Sequence, residues 1–111
     1  MFPRIACQLV LLLLLTGFAR GADGFRTGLE VTAAGGFREL KGKKVGLVTN
    51  PTGVDRRLVS LIDLLAAAEG VELKAIFGPE HGARGAAAAG AKVADAKDPS
   101  TGTPVYSLFG K

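Results

Sequence analysis

The stretch Phe77-Gly78-Pro79-Glu80-His81-Gly82-Ala83-Arg84-Gly85 gathers a carboxylate, the chain's single histidine and a guanidinium among glycines and a proline. That combination can move a proton and hold an anion. Glycines around Glu80 leave room for a substrate to enclose its carboxylate, and partial burial there would raise its pKa and keep it protonated as a general acid. The competing use of Glu80 is an ion pair with Arg84 or the capping of a turn. His81 can orient the acid, share its proton or bond a substrate hydroxyl, although a lone histidine beside glycine is more often structural. Arg84 presents a planar fork suited to a ligand carboxylate, with a pair to Glu80 as the simpler alternative. A metal centre is disfavoured: with one histidine and Cys7 as the lone cysteine, the ligands would have to be mainly carboxylates. No cofactor is expected, because Gly82-Ala83-Arg84-Gly85 lacks the order of the dinucleotide fingerprint and no Walker lysine follows a suitable glycine run.

A second polar cluster, Asn50-Pro51-Thr52-Gly53, has turn chemistry: proline fixes φ and Gly53 allows a positive φ. It could bind an anion at the N-terminus of a following helix, unless Asp55 already occupies that position.

The elements that must position these clusters form a strand-helix-strand order. Val45-Gly46-Leu47-Val48-Thr49 is a short apolar run between lysines and Asn50-Pro51, as expected of a strand buried on both faces. Gly46 within it marks a close approach to the backbone. Leu58, Leu61, Ile62 and Leu65 fall at i, i+3, i+4 and i+7, so a helix is predicted over residues 56–69, with Asp55 as N-cap and Gly70 as the terminating residue. Val71 to Phe77 begins with alternation and reads as a second strand. The result is a βαβ unit with parallel strands and a right-handed crossover. In such sheets ligands collect beyond the carboxyl ends of the strands, which brings Asn50, Thr52, Glu80, His81 and Arg84 toward one cleft.

The flanks carry less information. Residues 28–40 are predicted as a short strand or turn followed by one helical turn, since Gly35-Gly36 interrupts any longer helix. Residues 85–90 suit one helical turn or a small-residue surface, residues 91–93 a short extended piece, and residues 104–110 the start of a third strand.

At the N-terminus a charged Met1-Phe2-Pro3-Arg4 precedes an apolar run from Ile5 to Leu15 and the small residues of Thr16-Gly17-Phe18-Ala19. This is the layout of a secretory signal peptide, 1–19, with a flexible leader over 20–27. The apolar run is shorter than the ~20 residues a bilayer span needs. Export to the periplasm or the extracellular space is therefore expected, with no membrane association after cleavage. Cys7 leaves with the signal, so no disulfide framework or thiol nucleophile remains. The net charge of +4 is a mild surplus, and no aromatic residues interleave with the basic ones, so nucleic acid is a poor partner.

Three motifs in order, Gly46-Leu47-Val48-Thr49-Asn50-Pro51-Thr52-Gly53-Val54-Asp55, then residues 77–85, then Thr101-Gly102-Thr103-Pro104-Val105-Tyr106-Ser107-Leu108, resemble the N-terminal part of the NamZ-type exo-β-N-acetylmuramidases. The resemblance covers roughly Thr27 to Gly110. It implies a Rossmann-like α/β domain with a parallel sheet of βαβ units, truncated before the domain is complete. The implied activity is peptidoglycan hydrolysis, releasing N-acetylmuramic acid from non-reducing ends of cell-wall saccharides. On this resemblance Glu80 and His81 are the catalytic residues; for such a substrate Asn50, Thr52, Arg84 and Tyr106 are the candidate sugar contacts, with Arg84 or Asn50 for the lactyl carboxylate of muramic acid. A second carboxylate across the scissile bond would come from Asp55 or Asp98, or the substrate's N-acetyl group would serve instead. The other readings of the chain are a non-catalytic product that binds cell-wall sugars and a small anion- or nucleotide-binding module.

Overall fold

The computed structural model describes residues 24–110. The expected signal peptide and the first part of the leader lie outside the described residues. The remainder of the leader is not separate from the fold, because Thr27 begins the first helix. Its hydroxyl accepts from the Glu30 amide at 3.2 Å and Glu30 Oε2 accepts from the Thr27 amide at 2.8 Å, a reciprocal capping box. Helix α1 accordingly spans Gly28–Ala34, where the sequence predicted a strand or turn. The cap fixes its start, and Gly35-Gly36 end it rather than prevent it. Phe37 then turns the chain at φ 51° and buries its ring, and a single 3-10 turn follows at Arg38–Leu40.

Strand β1 is Lys44–Val48, and strand β2 is Glu72–Gly78. The helix between them, α2, is Leu61–Ala66, much shorter than the predicted 56–69. Its N-cap is Ser60, whose hydroxyl accepts from the Ile62 amide. Asp55 does collect backbone amides as expected, those of Arg57 and Val59 at 2.8 and 2.9 Å, but it closes a tight loop ahead of the helix. Leu58 fitted the apolar spacing, yet it sits in that loop at φ 62° and is 79% exposed. Ile62 and Leu65 are the helix residues that enter the core.

Beyond the loops that follow β2 come β3, Ala96–Lys97, and β4, Pro104–Ser107. The extended piece expected at residues 91–93 is displaced to β3. The sheet order is β1-β2-β4-β3, with β1, β2 and β4 parallel and the two-residue β3 antiparallel at the edge. The parallel βαβ core of the Rossmann-like class is therefore present, in a mixed sheet.

One irregularity aligns the core. Val45 pairs with Leu73 and Gly46 with Ala75, so Lys74 is an extra, unpaired residue in β2. A bulge of this kind shifts the alternation by one. It explains why Leu73 and Ile76 both pack against the core despite their odd spacing. Leu47, Ile62, Leu65, Ile76, Ala83 and Phe37 form that core, with Ile62 and Ile76 fully enclosed. The opposite sheet face carries Gly46, Val48, Phe77 and Tyr106, and it is open: Val48 is 67% exposed. Gly46 serves the close approach foreseen for it, since a Cβ there would lie 3.3 Å from the Phe77 ring.

Candidate active site

Because β1 pairs directly with β2, the loops leaving their carboxyl ends are neighbours. They touch at Gly85, where φ is 76° and an added Cβ would lie 2.6 Å from Pro51 Cγ. The turn after β2 folds tightly back over the strand end: a Cβ on Gly78 would come within 2.6 Å of the Ala83 backbone nitrogen. This packing fixes the path of the chain through Glu80 and His81 at the edge of the sheet.

In the first loop the Asn50 side-chain oxygen accepts from the Thr52 amide at 3.1 Å and from the Thr52 hydroxyl at 2.7 Å. This is an Asx turn, and it occupies one face of both expected sugar contacts. In the second loop Glu80 is exposed rather than partly buried, and its Oε1 accepts from the Gly90 amide at 3.0 Å. His81 is exposed as well, with Nδ1 3.0 Å from the Ala87 carbonyl oxygen. Thus the two candidate catalytic groups both fasten the alanine-rich segment that follows them.

Arg84 does something different from either role expected of it. Its Nε and one terminal nitrogen donate to Asp98 at 2.5 and 2.9 Å, and both terminal nitrogens donate to Asp63 at 2.7 and 3.1 Å. The fork is committed to two protein carboxylates, neither of which is Glu80. It is therefore not a free receptor for a ligand carboxylate. Hydrogen bonds donated to Asp98 and Asp63 raise the Arg84 pKa further above its already high ordinary value. Asp98 is held down to about 2, chiefly by the Arg84 guanidinium and then by the Thr101 hydroxyl and amide, against the cost of burial.

These commitments also remove both candidates for a second catalytic carboxylate. Asp98 is buried against Arg84 and Thr101, and Asp55 is buried against Arg57 and the Val59 amide. Backbone hydrogen bonding from Val59, then from Arg57, lowers the Asp55 pKa. Tyr106 lies on the open sheet face, paired with Phe77 at the carboxyl end of β2, with its ring stacked on Phe77 at 5.5 Å between centroids. Among the described residues no three histidine, cysteine or acidic side chains gather as a metal site would require. A cleft of about 760 Å³ between α1 and α2 is lined by Asp55 but by none of Asn50, Thr52, Glu80, His81, Arg84 and Tyr106.

Asp63 is the residue that the sequence concealed. It occupies a polar position of an otherwise apolar helix, a signal that gives no hint of a partner 21 residues away.

The fold is an α/β unit with its polar loops at the carboxyl ends of parallel strands, one of them carrying an exposed acid beside a histidine. Its sequence matches the family described as exo-beta-N-acetylmuramidase NamZ, N-terminal, over residues 45–111, and the chain belongs to that family. It is 48% identical over 86 residues to the peptidoglycan beta-N-acetylmuramidase NamZ of Bacillus subtilis (strain 168), covering 78% of this chain and 21% of that protein. It is also similar to the crystal structure of a DUF1343 family protein from Bacteroides fragilis NCTC 9343, at 55% identity and a TM-score of 0.66, again covering 78% of this chain and 21% of the other. The chain thus spans about a fifth of the length of these relatives.

Proposed function

We propose that this chain is the acid-bearing N-terminal portion of an exported exo-β-N-acetylmuramidase, a glycoside hydrolase that releases N-acetylmuramic acid from the non-reducing ends of peptidoglycan saccharides. The observation that carries the reading is the placement of Glu80 and His81 on the loop after β2, in contact range of the loop after β1 through Gly85 and Pro51. Glu80 donates the proton that the departing sugar oxygen needs, as general acids do in this chemistry. Asn50 is the candidate for the lactyl carboxylate of the muramoyl unit, because Arg84 is already engaged and the Asn50 side-chain nitrogen makes no hydrogen bond among the described residues. Thr52 neighbours it, and Tyr106 offers an aromatic face on the adjoining strand end.

The test is release of a chromophore from a chromogenic N-acetylmuramoyl glycoside, by this chain alone and by the chain joined to the remaining four-fifths of a relative such as the Bacillus protein. The joined form is expected to hydrolyse the glycoside, and Glu80→Gln to lower its rate by about 10²–10⁴-fold. Equal rates for the parent and Glu80→Gln would refute the assignment of the acid. Sugar binding without hydrolysis in the joined form would favour the sugar-binding alternative.

A further inference from the structure

His81 is the chain's single histidine, and its backbone sits at φ 70°. That left-handed conformation is uncommon outside glycine and marks a position held by its surroundings. The holding group is Ala87, which contacts His81 twice. The Ala87 amide donates to the His81 carbonyl oxygen at 3.2 Å, and His81 Nδ1 lies 3.0 Å from the Ala87 carbonyl oxygen. A carbonyl oxygen only accepts, so Nδ1 carries the proton of that bond. In the neutral ring Nε2 is then the lone-pair nitrogen. Nε2 makes no hydrogen bond among the described residues, and the residue is exposed. A histidine side chain free in water prefers the opposite tautomer, so the contact with Ala87 reverses the ordinary preference.

We infer that Ala87 is a positioning residue: its backbone holds His81 in the Nδ1–H form, so that the outward Nε2 accepts a hydrogen bond from a hydroxyl of the muramoyl sugar. The identity of the sugar rests on the hydrolase reading above, and the tautomer does not. Glu80 is fastened to the same segment through the Gly90 amide, so the segment sets both groups together. A histidine that merely stapled the loop would leave Nε2 indifferent to sugar.

One histidine makes the experiment free of assignment ambiguity. Long-range ¹H–¹⁵N correlation spectra of the ¹⁵N-labelled chain are recorded at about pH 8.5, some two units above the reference histidine pKa of ~6.5. The expected result is a protonated Nδ1 and an unprotonated Nε2, with N-acetylmuramic acid shifting Nε2 upfield and leaving Nδ1 in place. Ala87→Pro keeps the carbonyl but loses the amide that donates to the His81 carbonyl oxygen, so the carbonyl is no longer held against Nδ1 and the ring is expected to shift toward the Nε2–H tautomer. A downfield Nδ1 proton protected from exchange in the parent chain keeps the test decisive if that variant does not fold. A dominant Nε2–H tautomer in the parent overturns the inference even if the joined enzyme hydrolyses its substrate. An Nε2 unmoved by a sugar that shifts backbone amides of residues 50–53 overturns the acceptor role while leaving the hydrolase reading intact.

Discussion

Arg84 and Asp98 meet through two hydrogen bonds along one edge of the guanidinium, Nε to Oδ1 at 2.5 Å and a terminal nitrogen to Oδ2 at 2.9 Å. The other edge of the same guanidinium is taken by Asp63 on α2. One side chain therefore joins the loop after β2, the crossover helix and the turn that leads into β4. The site loop gains its fixed position from this three-way contact, since few apolar side chains are available there and Ala83 is the one that reaches the core.

Removing that fork should cost more than a surface ion pair does. Arg84→Ala leaves the Asp98 carboxylate, 2% exposed, without its charge partner. A loss of about 3 kcal/mol is expected, the lower end for breaking a buried pair because Arg84 itself is partly solvated. Urea unfolding measures it, and a loss below about 1 kcal/mol would place the pair with ordinary surface bridges.

Acid should weaken the fold in a defined window. In the folded chain Glu30 is held at about 2 by Arg56 and then by the Thr27 amide, and Asp98 at about 2 by Arg84 and then Thr101. Unfolded carboxyls titrate near 4. Folded values that are depressed give a contribution that is complete above the unfolded value and disappears as pH falls through the folded one. Urea midpoints should hold down to about pH 5 and fall between about pH 4 and 2. Arg84→Ala should flatten part of that decline.

Two leucine-stripe positions should behave oppositely. Ile62 is fully buried, so Ile62→Ala is expected to cost about 2–5 kcal/mol. Leu58 is exposed at φ 62°, a conformation that penalises a side chain, so Leu58→Gly should be neutral or stabilise by up to about 1 kcal/mol. If Leu58→Gly instead destabilised the chain as Ile62→Ala does, residue 58 would belong to the helix after all.

Gly78 cannot carry a side chain without moving the site. A Cβ there would meet the Ala83 backbone, which has no rotamer with which to yield. Gly78→Ala is expected to cost about 1–3 kcal/mol as overpacking. In the joined enzyme it should lower kcat far more than it raises KM, because the displaced segment carries the acid. Unchanged kinetics with wild-type stability would contradict the tight turn.

The strand-helix-strand order was legible because Leu47, Ile62, Leu65 and Ile76 repeat with the periods that burial imposes. The helix boundary was not, because Leu58 satisfies the spacing while Asp55 draws the local amides into a loop. α1 was hidden by Gly35-Gly36, although the Thr27 and Glu30 pair three residues apart was its visible signature. The site loop was recognisable from its residue types and its place after a strand. What its groups bind was not: Arg84 finds Asp63 and Asp98 at 21 and 14 residues' distance, and only the folded crossover brings them together. The same holds for the bulge at Lys74, which depends on pairing rather than on any property of lysine.

Tyr106 stacks on Phe77 on the uncovered side of the sheet, and the chain contains one tyrosine and no tryptophan. Its intrinsic near-ultraviolet emission and circular dichroism thus come largely from a single ring at that surface. Any polypeptide or sugar that settles over the Phe77–Tyr106 pair will announce itself optically, without a label.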